Sequence, residues 1–337
     1  LVFIIESRVW LCPVREIMMK RYRVLLLVLF VGCAHVRAND HVEKDIFHGG
    51  IERSYFLHVP AKLDRSKSVP LVFALHGGGG LAEKFDRTTT EKTFYREADR
   101  LGFIVCCPQG LGKRWQDGRR FAHDMAKKEG PVPDDVDFIL TILDRLKKEH
   151  RIDESSVFAT GISNGGLMSY RLALDRSDIF AAVAPVIANL PLELRGKKLG
   201  RGVSVAIFNG TDDPMMPDKG GAIKLGRLSR KERGRVISTR DTFDHFSRLN
   251  GCQGKNPSVL LPDVDEGDGT RVWKTVHSGG KDGAKVVLYS VEDGGHTWPG
   301  GTQYLRERFI GKVCRDINAS RLILEFFQAH RRGAGEK

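Results

Sequence analysis

Val157-Phe158-Ala159-Thr160-Gly161-Ile162-Ser163-Asn164-Gly165-Gly166 joins a short apolar run to a Gly-x-Ser-x-Gly motif. An amphipathic segment follows at once, with apolar side chains at Leu167, Met168, Tyr170 and Leu172. This order predicts a strand, a sharp turn and a helix, the context in which the motif forms a nucleophile elbow. The alternative interpretation is a glycine-rich turn that carries an ordinary surface serine.

The two outer glycines of the motif meet a steric requirement of such an elbow. Its serine is held in a strained backbone conformation, so the flanking positions must lack side chains that would clash. Gly161 and Gly165 satisfy that requirement, and Ser163 is expected at the tip of the turn with its hydroxyl exposed. The helix that follows directs backbone N–H groups toward negative charge formed there. The flanking signals therefore favour a nucleophile.

Residues 1–38 have the pattern of a targeting segment. Met19-Lys20-Arg21-Tyr22-Arg23 is charged, residues 24–31 are apolar, and Val36-Arg37-Ala38 offers a cleavage site before Asn39. The apolar run is too short to span a bilayer. We therefore expect residues 1–38 to be an N-terminal extension plus signal peptide, and residues 39–337 to be a single domain that is secreted, to the extracellular space or the periplasm. Lipid attachment at Cys33 and a retained anchor helix are the alternatives, and no stable membrane insertion is expected.

The chain of 337 residues carries a formal net charge of +12, and part of this surplus is local. Residues 224–240 contain seven lysines and arginines against the single acid Glu232. Nucleic-acid binding is not expected, because no basic–aromatic interleaving or known motif accompanies the charge. A solvated loop that favours anionic surfaces is the better interpretation.

The cysteines give no sign of a metal site. Cys106 and Cys107 are adjacent on an apolar run, which predicts buried thiols on opposite faces of a strand. Cys252 and Cys314 fall in predicted loops, and the sequence leaves open whether they form a disulfide. No cysteine or histidine cluster has metal-ligand spacing, so neither a metal nor a cofactor is expected.

Apolar strands alternate with amphipathic helices along the chain. Strands are expected near residues 53–59, 69–75, 103–107, 157–160, 180–186, 203–208, 271–276 and 285–291. Helices are expected near residues 93–101, 136–146, 167–172, 242–249 and 319–329. This alternation predicts an α/β fold with a mostly parallel central sheet and helices on both faces. In such a sheet the site lies at the carboxyl ends of the strands.

A serine nucleophile needs a base within hydrogen-bond reach and a carboxylate that orients the base. On this architecture the order along the chain is serine, acid, histidine. Asp212 and Asp213 follow the apolar run that ends at Phe208, and His296 lies in a glycine-flanked loop further on. His296 is the expected base. Asp213 is the expected acid, with Asp212 as its competitor.

The oxyanion formed during the reaction needs backbone donors. We expect one from the N–H of Asn164, directly after the nucleophile, and one from Gly78 in the loop His76-Gly77-Gly78-Gly79-Gly80. A dinucleotide- or phosphate-binding loop is the alternative interpretation of these glycines. Their spacing excludes it, because the sequence has neither Gly-x-Gly-x-x-Gly opening a helix nor Gly-Lys-Ser/Thr.

Taken together, these segments resemble the extracellular poly(3-hydroxybutyrate) depolymerase and feruloyl esterase-like family of the α/β-hydrolase superfamily. The resemblance runs from about Ile51 to His330. It rests on residues 75–80, 108–110 with Trp115, 132–139, 160–166, 209–217, 250–252 and 295–301. It implies the α/β-hydrolase fold and a Ser163, Asp213, His296 triad, since the family's acid directly precedes the proline.

Two departures and two tryptophans bear on the substrate. Asn209 stands where many relatives have histidine, and residues 224–240 resemble an insertion near the mouth of the site. Trp115 and Trp298 are candidates for lining an acyl or aromatic pocket, and packing in the core is the alternative for each.

The sequence thus predicts a secreted serine carboxylic-ester hydrolase that acts on esters borne by a polyester or a polysaccharide. The fold and the triad do not choose among these substrates. One alternative is a serine exopeptidase of the same superfamily, which would carry acidic residues to hold a peptide amine. Another is a non-catalytic binding protein on a hydrolase scaffold, against which the intact Ser163 and His296 argue.

Overall fold

The structure is a computed structural model. It describes residues 41–64, 66–122, 134–226 and 229–333. The predicted N-terminal extension and signal peptide, residues 1–38 with Cys33, lie outside the described residues. Within the described ranges, the structure contains no helix that is both long and apolar enough to cross a membrane.

A mixed sheet of eleven strands forms the centre of the fold. Its strands are β1 (Val42–His48), β2 (Ile51–His58), β3 (Val69–Leu75), β4 (Ile104–Pro108), β5 (Ile152–Ile162), β6 (Ala182–Val186), β7 (Ser204–Gly210), β10 (Gly254–Lys255), β11 (Val259–Leu260), β12 (Arg271–Ser278) and β13 (Val286–Glu292). Strands β8 (Gly221–Ala222) and β9 (Arg235–Val236) pair with each other outside this sheet.

The strand order is β1-β2-β4-β3-β5-β6-β7-β13-β12-β10, and β11 pairs with β12. Pairing is parallel from β4 across to β13, which confirms the predicted parallel centre. Both margins are antiparallel. Strands β1 and β2 form a hairpin through Gly49 and Gly50, whose φ values of 58° and 85° suit the tight turns that match strand twist.

Seven α-helices that lie wholly within the described ranges connect or flank these strands. They are α1 (Phe85–Thr88), α2 (Thr93–Leu101), α3 (Asp135–Glu149), α4 (Asn164–Asp175), α5 (Thr239–Asn250), α6 (Glu307–Ile310) and α7 (Ala319–Ala329), counted over the described ranges. Side chains cap the starts of three of them. Asp134 accepts from the N–H of Val136, Ser238 from that of Asp241, and Asn318 from that of Arg321.

Two buried apolar layers cover the two faces of the sheet. Alternate residues of β3 enter different layers, with Phe73 in the first and Val72 in the second. Helices α3, α4 and α5 contribute to the first layer, and α2 and α7 to the second. Helices on both faces were predicted, and the structure confirms them.

The cysteines divide between these layers as their sequence positions require. Cys106 lies in the first layer and Cys107 in the second, which confirms the prediction of buried thiols on opposite faces. Cys252 and Cys314 are also buried free thiols, so the disulfide that the sequence left open is not formed. Burial raises the pKa of all four thiols.

Candidate active site

The carboxyl ends of four parallel strands carry the loops that the sequence singled out. Because β3, β5, β7 and β13 belong to the parallel part of the sheet, these ends lie at one edge. Ser163 follows β5, Asp213 follows β7 and His296 follows β13. The loop of residues 76–80 follows β3.

Ser163 has the backbone conformation of a strained turn. Its φ is 54° and its ψ is −116°, outside the regions that L-residues favour. Its N–H donates to the Val186 carbonyl over 2.9 Å, which ties the turn to β6. A methyl group at Gly161 or Gly165 would lie 2.6 or 2.2 Å from the Leu75 carbonyl oxygen. Both glycines are therefore needed for helix α4 to lie close against β3.

Asp213 and His296 form a buried pair. His296 Nδ1 lies 2.6 Å from Asp213 Oδ2, and the two side chains are 5% and 2% exposed. The second carboxylate oxygen, Oδ1, accepts from the N–H groups of Met215 and Met216 at 2.8 Å each. This arrangement assigns the proton to Nδ1 and leaves Nε2 as the nitrogen that can accept another. Asp212 is exposed, whereas the carboxylate that contacts His296 Nδ1 is that of Asp213.

The backbone of His296 is fixed on both sides. Its N–H donates to the Ile310 carbonyl, and its own carbonyl accepts from the Tyr304 hydroxyl over 2.9 Å. Desolvation of its hydroxyl raises the pKa of Tyr304, and the nearby Asp213 charge raises it further, so the phenol stays a donor. A methyl group at Gly295 would lie 2.2 Å from the Ile310 oxygen. The glycine before His296 is thus required by this close approach.

The glycine loop passes over the start of helix α4. A methyl group at Gly78 would lie 3.7 Å from Asn164 Cβ, which places the two residues side by side. The N–H groups of Gly79 and Gly80 donate to the carbonyls of Lys113 and Gly77. The N–H of Gly78 has no acceptor within the described part of the chain. Asn164 is the first residue of α4, where helix N–H groups lack intrahelical partners.

The neutral imidazole of His76 holds the glycine loop in place. Burial, with a smaller contribution from the nearby Arg53 charge, lowers the pKa of His76 to about 4. Nδ1 donates to the Gly77 carbonyl over 2.8 Å, and Nε2 accepts from the Gly110 N–H over 3.0 Å. The sequence identified His76 only as the start of the glycine loop and missed this supporting function.

Trp115 connects the loop to the elbow. Its indole N–H donates to the His76 carbonyl over 2.9 Å, and its backbone N–H donates to Asn164 Oδ1 over 2.9 Å. The Asn164 amide in turn donates to Asp117 over 2.5 Å. Trp115 borders the cavity described below but is only 1% exposed. It therefore supports the site as part of the core.

Trp298 lies elsewhere. The structure places it in the second apolar layer, 1% exposed, edge-on against Phe85 and Phe94. Its indole N–H donates to Ser320 over 3.2 Å, and it does not border the cavity. The expectation that Trp298 lines a substrate pocket is therefore corrected. The ring packs against side chains of α1, α2 and α7, which agrees with the alternative of packing in the core.

Ser163 and His296 border one cavity of about 740 Å³. Gly78 and Asn164 border it as well, so four of the predicted residues share this space. Apolar side chains also border the cavity, among them Leu111, Met215, Met216, Ile223, Leu225 and Leu305. Lys224 and Arg233 also border it, so the basic stretch lies at the site, as the resemblance implied.

A buried ion pair lies at the border of the cavity. Asp135 and Arg53 are 2.8 Å apart, and their side chains are 2% and 1% exposed. Asp135 also accepts from the Gln116 N–H over 2.7 Å, and the Arg53 guanidinium lies 3.4 Å above the Phe138 ring. Burial raises the pKa of Asp135 and lowers that of Arg53. Asp135 is therefore a buried partner of Arg53 as well as an acid in the first turn of α3.

Asn209, which departs from the family's histidine, has a structural function. Its amide accepts from the Ala188 N–H and donates to the Ala188 carbonyl and to Asn189 Oδ1. These bonds fix the turn after β6, where Ile187 has a φ of 45° that is rare for a β-branched residue. This turn adjoins Val186, which accepts from the Ser163 N–H.

One group of possible metal ligands lies away from the cavity. The ligand atoms of Asp268, Cys314 and Asp316 lie within 4.8 Å of one another. Both carboxylates already accept hydrogen bonds from backbone N–H groups of loops. Asp268 accepts from the N–H groups of Arg315 and Thr270, and Asp316 accepts from two others. These bonds account for the acids without an ion.

Several known proteins are similar to this chain in sequence. The chain is 31% identical over 248 residues to "Probable feruloyl esterase C" of Aspergillus oryzae, covering 73% of this chain and 76% of that one. It is 30% identical over 288 residues to "Putative esterase NocK" of Nocardia uniformis subsp. tsuyamanensis, covering 84% and 81%. The chain belongs to the feruloyl esterase-like family. It is a carboxylic ester hydrolase, which confirms the predicted class of enzyme.

Two further matches concern the fold of the esterase. The prolyl oligopeptidase family matches residues 74–193, a span that includes Ser163 but ends before Asp213 and His296. The acetyl xylan esterase from Aspergillus awamori superposes with a TM-score of 0.54 at 13% identity, covering 85% of this chain and 99% of that one. The predicted α/β-hydrolase fold is confirmed. The poly(3-hydroxybutyrate) depolymerase part of the resemblance stays a prediction.

Proposed function

We propose that Ser163, His296 and Asp213 are the catalytic triad of this esterase. One observation carries the proposal: the strained Ser163 borders the same cavity as His296, whose Nδ1 is held by Asp213. His296 Nε2 removes the hydroxyl proton as Ser163 Oγ attacks the ester carbonyl carbon. Asp213 keeps the ring in the required tautomer and stabilises the imidazolium that forms.

The oxyanion of the tetrahedral intermediate is stabilised by the N–H groups of Gly78 and Asn164. Their side-by-side position and the N-terminus of α4 support this assignment. His76 and Trp115 act as positioning residues, because their hydrogen bonds hold the two backbone segments that donate.

The acyl group is then released in a second half-reaction. The intermediate collapses as the imidazolium returns its proton to the leaving alkoxide, which departs as the alcohol. Water, deprotonated by the same Nε2, attacks the acyl–Ser163 carbonyl. Collapse of this second intermediate yields the carboxylic acid and restores the Ser163 hydroxyl.

The cavity favours esters over peptides with a free amine. Asp135 is the single acid among the described residues that border it, and Arg53 already neutralises that carboxylate. An exopeptidase would need an uncommitted carboxylate at this position to hold the amine.

We further propose that the esterase is secreted and that its substrate ester is borne by a polymer, either a polyester or a polysaccharide. The targeting pattern of residues 1–38 and the feruloyl esterase relatives support this. The rim of the cavity is also open and apolar, with Leu225, Tyr304 and Leu305 all more than a third exposed. Such a rim suits contact with a polymer chain beside the scissile ester.

An ester panel tests these proposals. Purified protein is assayed on 4-nitrophenyl acyl esters, methyl ferulate, hydroxybutyrate oligomers and acetylated xylan, alongside Ser163→Ala. Hydrolysis that disappears in the variant supports the triad, and the preferred substrate identifies the polymer. A variant that keeps the wild-type rate would show that Ser163 is not the nucleophile. Export is checked by sequencing the N-terminus of the protein recovered from the culture medium or the periplasm, which should begin at Asn39.

A further inference from the structure

The cavity contains more positive charge than its own acids neutralise. Arg114, Arg119, Lys224 and Arg233 all border it. Arg119 is neutralised by Asp117, which its guanidinium contacts through two nitrogens. Over the described ranges, no carboxylate pairs with Arg114, Lys224 or Arg233. Asp135, the single bordering acid, is committed to Arg53.

Arg233 lies close to Arg119, and the charge of Arg114, which borders the same cavity, acts on it as well. Burial lowers the pKa of Arg233, and the neighbouring charges of Arg114 and Arg119 lower it further. The Arg119 guanidinium donates to the Arg233 carbonyl, and both guanidinium groups lie 5.9 Å from the centre of the Phe121 ring. Like charges that face each other in a half-buried cavity destabilise the folded protein unless an anion binds between them.

Elsewhere on the described surface, arginines commonly have carboxylate partners. In the same basic stretch, Arg235 pairs with Glu232, and Arg240 pairs with Asp244 four residues along α5. Arg114 and Arg233 border the cavity with Ser163 and have no carboxylate partner in the described part of the chain.

We propose that the ester substrate carries a carboxylate, which Arg114 and Arg233 bind with Lys224 nearby while Ser163 attacks the ester. This inference rests on the proposed function and adds a substrate class to it: an ester with a free carboxylate on its acyl or its alcohol side. A planar guanidinium binds a carboxylate through two parallel hydrogen bonds, so arginine suits this task. The apolar side chains that border the cavity contact the carbon chain between the two groups.

The test uses pairs of esters that differ only in charge. For the acyl side the pair is 4-nitrophenyl hydrogen adipate and 4-nitrophenyl methyl adipate. For the alcohol side it is 4-acetoxybenzoate and methyl 4-acetoxybenzoate. The wild-type protein should favour the anion of at least one pair by about tenfold or more in kcat/KM, because a charge-assisted hydrogen bond is worth about a factor of ten. This preference should weaken as salt is added.

Three variants complete the test. Arg233→Gln and Arg114→Gln should each lower kcat/KM for the favoured anion by about tenfold and change the neutral ester by less than about twofold. Arg235→Gln is the matched control and should change neither rate. The neutral ester also reports that each variant is folded.

The possible failures are distinguishable. A wild-type protein that prefers neither anion would overturn the carboxylate inference, as would variants that slow both members of a pair equally. In either case, hydrolysis of the neutral esters that depends on Ser163 would leave the proposed function standing. A wild-type protein that hydrolyses none of these esters would instead contradict the proposed function itself.

Discussion

Replacing Asp213 with asparagine should nearly abolish hydrolysis while leaving the fold intact. The two side chains are almost the same size, so the packing around this buried residue changes little. The bonds to the Met215 and Met216 N–H groups decide which way the new amide faces. Its oxygen must keep accepting from them, so its NH₂ group turns toward His296 Nδ1.

An NH₂ group cannot accept a hydrogen bond from the ring, so His296 must present an unprotonated Nδ1 to it. The ring proton then lies on Nε2, the nitrogen that should take the Ser163 proton. A base with the wrong tautomer is expected to lower kcat by about 10³–10⁴-fold. That fall corresponds to about 4–5.5 kcal/mol of lost transition-state stabilisation.

The assay is kcat and KM on 4-nitrophenyl butyrate, with a thermal melt of each variant. Asp213→Asn should lower kcat with KM changed by less than about threefold, since the carboxylate lies behind the ring and not against the substrate. Asp212→Asn is the control and should retain nearly the wild-type rate. A fall of less than about tenfold in Asp213→Asn, or a larger fall in Asp212→Asn, would refute the assignment of the acid.

Three further predictions concern the scaffold of the site. Gly165→Ala places a methyl group 2.2 Å from the Leu75 carbonyl oxygen and should cost about 1–3 kcal/mol in urea unfolding, together with most of the activity; an unchanged midpoint would contradict the close packing of α4. Asp135→Asn leaves the Arg53 charge buried without its counter-ion and should cost about 3–5 kcal/mol, whereas a loss below about 1 kcal/mol would mean that water already solvates the pair. His76 has its ordinary pKa of 6.5 in the unfolded chain and a pKa of about 4 in the folded protein. Its contribution to the free energy of unfolding is therefore complete above pH 6.5. That contribution falls by up to about 1.4 kcal/mol per pH unit as the pH drops toward 4. Urea unfolding at pH 7 and pH 5 should show a shallower loss in His76→Gln than in wild type, and equal losses would disprove this.

The parts of the fold with strong periodicity could be predicted from sequence alone. Strand β3 and helices α2 and α7 have the bounds that their apolar patterns predicted. Strand β1 was missed because it lies at the margin of the sheet and buries only Ile46. A strand with one buried side chain has no alternation to detect.

The order of the loops was also predictable, because each follows an apolar strand and parallel strands end at one edge. Two features of the site were not. The function of Trp115 depends on the His76 carbonyl and the Asn164 side-chain amide, which a sequence does not bring together. Arg114 and Arg233 border one cavity because two loops that are distant in sequence meet there. The sequence pointed to this basic site only through the excess of basic residues after Met216.

The most direct test of the account is covalent labelling with a fluorophosphonate probe, read out by intact mass and by sequencing of the labelled peptide. The account predicts one adduct per chain, on the Ser163 hydroxyl, formed much more slowly in His296→Asn and absent in Ser163→Ala. An unlabelled wild-type protein, or an adduct on any other residue, would contradict the claim that Ser163 is the nucleophile activated by His296 and Asp213.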